Sequence, residues 1–329
     1  MRAAVLEAAH RLVVRPAPAP QPRDGEVVLA VKLAGICGSD VALFEGTRSA
    51  THPLILGHEA IGRIVEPGSS GLASGTYAVV EPNIPCGICA VCRRGWGSVC
   101  PSKRALGLNA PGVFADAVAV PAGFVHALPP AIEPLDAVGI EPLAVAVRAV
   151  WVGNVQAAER VAVIGCGPVG LLVVQVAVAM GAQVLAADAR TERLALAERV
   201  GAAQTVHVGA DESTEHLGGR IAATWTPTLV YECAPCPHAS GTFRCAGVGS
   251  PCCIGRLSDF ASSIVRCRLP TYPSRRRGVA HIWPRPDVRP GHGPLNGSSR
   301  ANVANTRGNS NRIRNLSHFT GNRLRCHIG

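Results

Sequence analysis

Apolar residues fall into two patterns along this chain, short runs up to residue 150 and alternating helix- and strand-length runs from 151 to 233. In the first pattern Met1 to Leu6 and Gly25 to Val31 read as strands separated by a proline-rich loop, and Gly75 to Pro82 and Gly112 to Pro121 as two more. Many short strands punctuated by Gly and Pro predict an irregular, barrel-like domain over 1–150, with Cys37 just beyond a strand.

In the second pattern Arg160 to Ile164 is the nearly all-apolar run of a buried parallel strand. Val169 to Ala187 has almost the length of a membrane span, but Gln175, Gly181 and Gln183 interrupt it, so it predicts a buried helix followed by a strand. Leu194, Leu196, Ala197 and Val200 give the next helix its apolar face, and Gly201 ends it. Val206 to Val208 and Thr228 to Glu232 then read as strands. Strands alternating with helices predict an α/β, doubly wound parallel sheet over 151–233.

Chemistry enters at the turn after the first of these strands, Gly165-Cys166-Gly167-Pro168-Val169-Gly170. G-x-G-x-x-G gains weight here because a strand precedes it, a helix follows, and Asp188 closes the next strand. The glycines allow close backbone approach, so the helix N-terminus can receive a dinucleotide pyrophosphate. Asp188 is placed to bind the adenosine ribose hydroxyls and to repel a 2′-phosphate, which selects NAD over NADP. Cys166 reads as a small side chain within the loop.

Two clusters point to metal. Cys37, His58 and Glu59 offer the thiol, imidazole and carboxylate that hold zinc while leaving a position open for a substrate oxygen. Cys86, Cys89, Cys92 and Cys100, spaced C-x2-C-x2-C-x7-C, match a closed structural zinc site in preference to disulfides or an iron–sulfur cluster.

With Gly35-Ile36-Cys37-Gly38-Ser39-Asp40, Gly57-His58-Glu59, the cysteine knuckle and the glycine loop together, residues 1 to 233 resemble the zinc-containing medium-chain alcohol dehydrogenases, in particular the sorbitol and threonine dehydrogenase branch. The resemblance implies a GroES-like catalytic domain followed by a Rossmann domain, one catalytic and one structural zinc, and hydride transfer between NAD and a secondary alcohol or polyol. It implies that Ser39 takes the alcohol proton and that Asp40 accepts a hydrogen bond from the ligand histidine. Glu59 or Glu141 supplies the further carboxylate at the metal, and Arg193 packs near the adenosine. The family often has histidine five residues after the cysteine, where this chain has Ala42, so water or Glu141 takes over that end of the proton relay. Family members form homo-oligomers.

Charge separates the rest of the chain. Residues 1–233 carry 17 Lys plus Arg against 20 Asp plus Glu, whereas 234–329 carry 15 Arg, no Lys and only Asp259 and Asp287. Gly, Pro and Ser make up 30 of those last 96 residues, a composition that predicts a basic, disordered tail and a Rossmann sheet incomplete after 233. A shifted reading frame is one origin for such a tail, and the alternative function is then a catalytically impaired zinc-binding remnant. Phe243, Phe260, Tyr272, Trp283 and Phe319 interleave the arginines too sparsely for a nucleic-acid module. Met1 to Pro20 has no unbroken apolar core, so the sequence predicts a cytoplasmic protein with a small-molecule substrate and no membrane partner.

Overall fold

The structure is a computed structural model that describes residues 1–234 and the backbone of 253–256. A hairpin opens the chain: β1 (Arg2–Ala8) pairs antiparallel with β2 (Arg11–Pro16), and β4 (Leu54–Ile55) joins β1 on its other side. Most of β2 falls in what the sequence predicts as loop. Its residues are partly or wholly exposed, so no buried face marked it, and only pairing with β1 makes it a strand.

The main antiparallel sheet has the order β10-β6-β5-β3-β9. Its strands are β3 (Glu26–Gly35), β5 (Glu59–Glu66), β6 (Tyr77–Val80), β9 (Ala117–Pro121) and β10 (Val125–Ala127). Val27, Leu29, Ile64, Val80, Val113 and Val120 are buried together on one side of it. Each such side chain contributes about 1.5–3 kcal/mol on leaving water. The strand expected from Gly112 begins only at Ala117, because Gly112, Val113 and Phe114 donate their N–H groups to the carbonyls of Ile55, Gly57 and Leu56.

Between β3 and β4 lies α1 (Gly38–Phe44), whose Leu43 packs with Leu6, Leu54 and Leu56. The cysteine knuckle forms a lobe of β7 (Asn83–Ile84), α2 (Ala90–Arg93) and β8 (Arg104–Ala105). Arg104 ties this lobe to the buried Glu26 of β3 at 3.4 Å.

After α3 (Pro134–Ala137), α4 (Ile140–Gly153) packs against β5 and β6 at one end and runs on into the second half of the fold. There the sheet order is β13-β12-β11-β14-β15. Its parallel strands are β11 (Arg160–Ile164), β12 (Gln183–Asp188), β13 (Gln204–His207) and β14 (Leu229–Glu232). The connecting helices are α5 (Pro168–Ala179), α6 (Thr191–Arg199) and α7 (Thr214–Thr224). Val161, Val163, Val173, Ala177 and Val184 are fully buried where α5 meets the sheet, and Tyr231 of β14 donates its hydroxyl to the Ala149 carbonyl of α4 at 3.3 Å. This is the Rossmann half of the expected α/β fold. One further strand, β15 (Cys253–Arg256), pairs antiparallel with β14. Apart from that backbone and Ala234, the tail expected to be disordered lies outside the described residues.

Candidate active site and zinc centres

The first site forms where β3 and β5 end side by side, with Gly35 paired to Glu59. The chain leaves β3 through Cys37, which precedes the first turn of α1, and enters β5 through His58. One ligand atom each from Cys37, His58 and Glu59 lies within 4.8 Å of the others. Asp40, 3% exposed, holds the two incoming loops together: its Oδ2 accepts the Cys37 N–H at 2.9 Å and its Oδ1 the Gly57 N–H at 3.1 Å. Both oxygens are therefore engaged by backbone. The carboxylate approaches His58 Nδ1 only to 3.5 Å, an ion-pair distance without hydrogen-bond geometry, and Nδ1 is buried with no hydrogen-bond partner. Asp40 thus stands at ion-pair distance from His58 Nδ1 while it also holds the amides of both loops. Ser39 Oγ lies 3.5 Å from His58 Nε2.

Electrostatics in this corner follow from crowding. Burial favours a neutral His58 ring, but Asp40 and Cys37 outweigh it and raise the pKa to about 10. The charges of Asp40 and Cys37 around the imidazole thus favour positive charge in this corner. Burial raises Glu59 above the usual carboxylate range. Glu141, in the first turn of α4, lies outside the 4.8 Å group but senses the charges of His58 and Glu59; burial is the main reason its pKa rises to about 7. A buried imidazole beside a thiol and a carboxylate is a donor set that fits a zinc ion.

Gly35 makes room for this site, a role its place in the sequence does not reveal. A β-carbon there would run into Oε2 of Glu59 and lie 3.2 Å from its Cβ. The missing side chain is what lets the carboxylate turn toward Cys37 and His58. The Gly35 to Glu59 pairing could have signalled it, but only the sheet register makes the two residues neighbours.

The four knuckle cysteines close a second site. Sγ–Sγ separations are 3.8 Å for Cys86–Cys92, 3.4 Å for Cys89–Cys92, 3.9 Å for Cys89–Cys100 and 3.5 Å for Cys86–Cys100. Sulfurs about 2.3 Å from a central zinc form a tetrahedron with edges of about 3.8 Å, whereas a disulfide needs about 2.0 Å. All four are free thiols. The N–H groups of Ile88 and Cys89 point at Cys86 and lower its pKa to about 6, which favours the thiolate a metal requires.

The dinucleotide turn lies at the C-terminal ends of β11 and β12. Gly165 has φ +91°, and Gly170 lies against the Gly165 carbonyl with no room for a side chain. Gly167 and Pro168 open α5, with Val169 turned toward the core, so the helix N-terminus is free to meet an anion. Asp188, 6% exposed, accepts the Cys166 N–H at 2.6 Å and the Arg190 N–H at 2.8 Å, and Arg193 approaches it to 3.5 Å. The Cys166 thiol is fully buried; burial, then the Asp188 charge, pushes its pKa to about 12, so it is a packing residue.

Two family profiles match the chain, the alcohol dehydrogenase GroES-like domain over residues 23–130 and the zinc-binding dehydrogenase domain over 168–242. An uncharacterized zinc-type alcohol dehydrogenase-like protein of Haemophilus influenzae is 30% identical over 230 residues, 68% of this chain and 67% of that protein. L-threonine 3-dehydrogenase of Pyrococcus horikoshii is 40% identical over 190 residues, 56% of this chain and 54% of the enzyme. The chain thus spans 54% to 67% of the length of these curated relatives. Among solved structures, a protein from E. coli CFT073 described as a short chain alcohol dehydrogenase, complexed with NADH, superposes with a TM-score of 0.66 at 34% identity, covering 72% of this chain and 70% of that one. Among the described residues no helix is long and apolar enough to cross a membrane. Both halves of the fold, the ligand sets they carry and these likenesses agree: the chain belongs to the zinc-containing medium-chain alcohol dehydrogenase family.

Proposed function

We propose that this chain carries out zinc-dependent, NAD-linked oxidation of a secondary alcohol or polyol of the sorbitol or threonine kind. The observation that carries the reading is the convergence of Cys37, His58 and Glu59 to within 4.8 Å. In it, residues 1–150 form the catalytic domain and 151–233 the cofactor domain. Cys37, His58 and Glu59 hold one zinc, with Glu141 as the alternative carboxylate, and Cys86, Cys89, Cys92 and Cys100 hold a structural one. Zinc held at the first site supplies Lewis-acid polarisation of the substrate hydroxyl.

Ser39 takes the hydroxyl proton at Oγ, a role supported by its position 3.5 Å from His58 Nε2. Asp40 keeps Cys37 and His58 in register through the two amides it binds. Ala42 carries no proton onward, and Glu141, with a pKa near 7, can take one up and release it at neutral pH. Gly165, Gly167, Pro168, Val169 and Gly170 receive the cofactor pyrophosphate, Asp188 the ribose hydroxyls, and Arg193 flanks the adenosine.

The test is metal analysis of the purified full chain together with NADH formation on sorbitol, threonine and 2,3-butanediol. Zinc-dependent NADH formation is expected with at least one of them. Metal-loaded protein that turns over none would overturn the reading.

A further inference from the structure

Asp188 ends β12, where the reading above seats the adenosine ribose, and its carboxylate is already engaged from two sides. Oδ2 accepts the Cys166 N–H of the glycine turn at 2.6 Å, and Oδ1 accepts the Arg190 N–H ahead of α6 at 2.8 Å. The Arg193 guanidinium completes the group. Its Nη1 lies 3.5 Å from Asp188 Oδ2 and 4.0 Å from the point where a β-carbon on Gly167 would sit. One cation therefore reaches both the acid at the ribose and the turn that receives the pyrophosphate.

Charge at this corner decides which dinucleotide enters. An unopposed carboxylate repels a 2′-phosphate, whereas an arginine nearby accommodates one. From 188 to 193 the chain carries Asp188 and Glu192 against Arg190 and Arg193, so the turn has no net charge. The two arginines are held differently. Arg193 faces a buried acid, where a charge is screened little by solvent. Arg190 stands 4.0 Å from Glu192, with the two side chains 63% and 75% exposed. Such an exposed pair contributes little, so Arg190 is available to a stronger partner. Phosphate is one, because its oxygens take paired, charge-assisted bonds from a guanidinium. Arg190 is also the residue that precedes α6, and no side chain caps that helix, so the positive end of its dipole adds to the pull on an anion.

We propose that Arg190 and Arg193 admit a 2′-phosphate at the adenosine ribose, so that the chain takes NADP as well as NAD. This rests on the dehydrogenase reading above and widens its cofactor. Asp188 by itself predicts exclusion of NADP; the start of α6 brings Arg193 onto that acid and offsets it. Arg193 cancels the repulsion, and Arg190 supplies planar paired donors to the phosphate. Both residues select the cofactor and take no part in hydride or proton movement.

Equilibrium binding tests this without turnover. The purified full chain is titrated with NADH and NADPH by fluorescence, and the bound nucleotide is competed with ADP and with adenosine 2′,5′-bisphosphate, which presents the 2′-phosphate on the adenosine half alone. NADPH is expected to bind within about tenfold of NADH, and Arg190→Met to weaken NADPH and adenosine 2′,5′-bisphosphate roughly tenfold more than NADH and ADP. Arg193→Met should widen the gap between the two dinucleotides in the same direction, and Arg193→Lys, which keeps the charge, should restore part of it. A wider gap in the wild-type chain, with NADH bound, overturns the proposal and leaves the dehydrogenase reading standing. Equal weakening of all four nucleotides in both methionine variants would give the arginines a structural role and overturn it too. Binding of neither dinucleotide removes the cofactor reading itself, and the proposal with it.

Discussion

Gly35→Ala isolates the geometry of the candidate metal corner. The backbone of Gly35 is ordinary strand, paired with Glu59 across β3 and β5, so alanine introduces no backbone strain. Its β-carbon would run into Oε2 of Glu59 and lie 3.2 Å from Cβ and 3.3 Å from Cδ of the same side chain. The far end of Glu59 can swing away, which keeps the stability cost low. Crowding costs about 1–3 kcal/mol, and losing a glycine from the unfolded chain returns about 0.4–1 kcal/mol. What cannot be kept is the carboxylate beside Cys37 and His58. Disturbing groups around a metal typically lowers affinity 10- to 100-fold, or about 1.4–2.8 kcal/mol. Competition of the purified variant against a zinc chelator should show one site weakened by that factor and the four-cysteine site unaltered, while thermal unfolding shifts by only a few degrees. Unchanged affinity at both sites would refute the argument that Glu59 completes the ligand set.

Lowering the pH from about 9 to about 6 should weaken zinc at the Cys37–His58–Glu59 site, by about tenfold per unit for one displaced proton, because His58 must give up the proton that its raised pKa retains; a flat chelator-competition profile would contradict that protonation state. In the metal-free protein the same raised value implies stability fully present below the ordinary 6.5 and lost as pH rises through about 10, which denaturant titrations across that window can follow. Cys100→Ser should remove one zinc per chain and speed hydrogen exchange across residues 83–105, with β11 and β12 unaffected; unchanged metal content would exclude a metal among the four thiols. Asp188→Asn keeps the volume and removes the charge that faces the Cys166 and Arg190 amides. It should weaken NADH binding roughly tenfold, corresponding to about 1.4 kcal/mol, and narrow discrimination against NADPH. Fluorescence titration with both nucleotides measures this, and equal affinities for wild type and variant would remove Asp188 from the site.

Much of this architecture could be read from one dimension because its signals are local. The C-x2-C-x2-C-x7-C spacing places four sulfurs within one short loop, and β11, the glycine turn and α5 follow one another without interruption. Fully buried parallel strands reveal themselves as unbroken apolar runs, which is why Arg160 to Ile164 agrees residue for residue with β11. Strand β2 lacked such a mark, since both of its faces meet solvent to some degree. Helix α7 carries no clear mark in the sequence because Gly218 and Gly219 weaken its middle; the Ser213 N-cap and packing of Leu217 and Ile221 against Leu185 and Val230 hold it. Residue types at Cys37, His58 and Glu59 named a metal chemistry, but contact between β3 and β5 decided that the three converge and that Gly35 makes room for them. Asp40 shows the same division. Its proximity to Cys37 is written in the sequence, whereas its hold on the Gly57 amide and its place beside His58 exist only once the two loops meet. Local spacing fixes which atoms are near along the chain; long-range burial of apolar surface fixes which distant ones are pressed together, and that is a property of the folded whole.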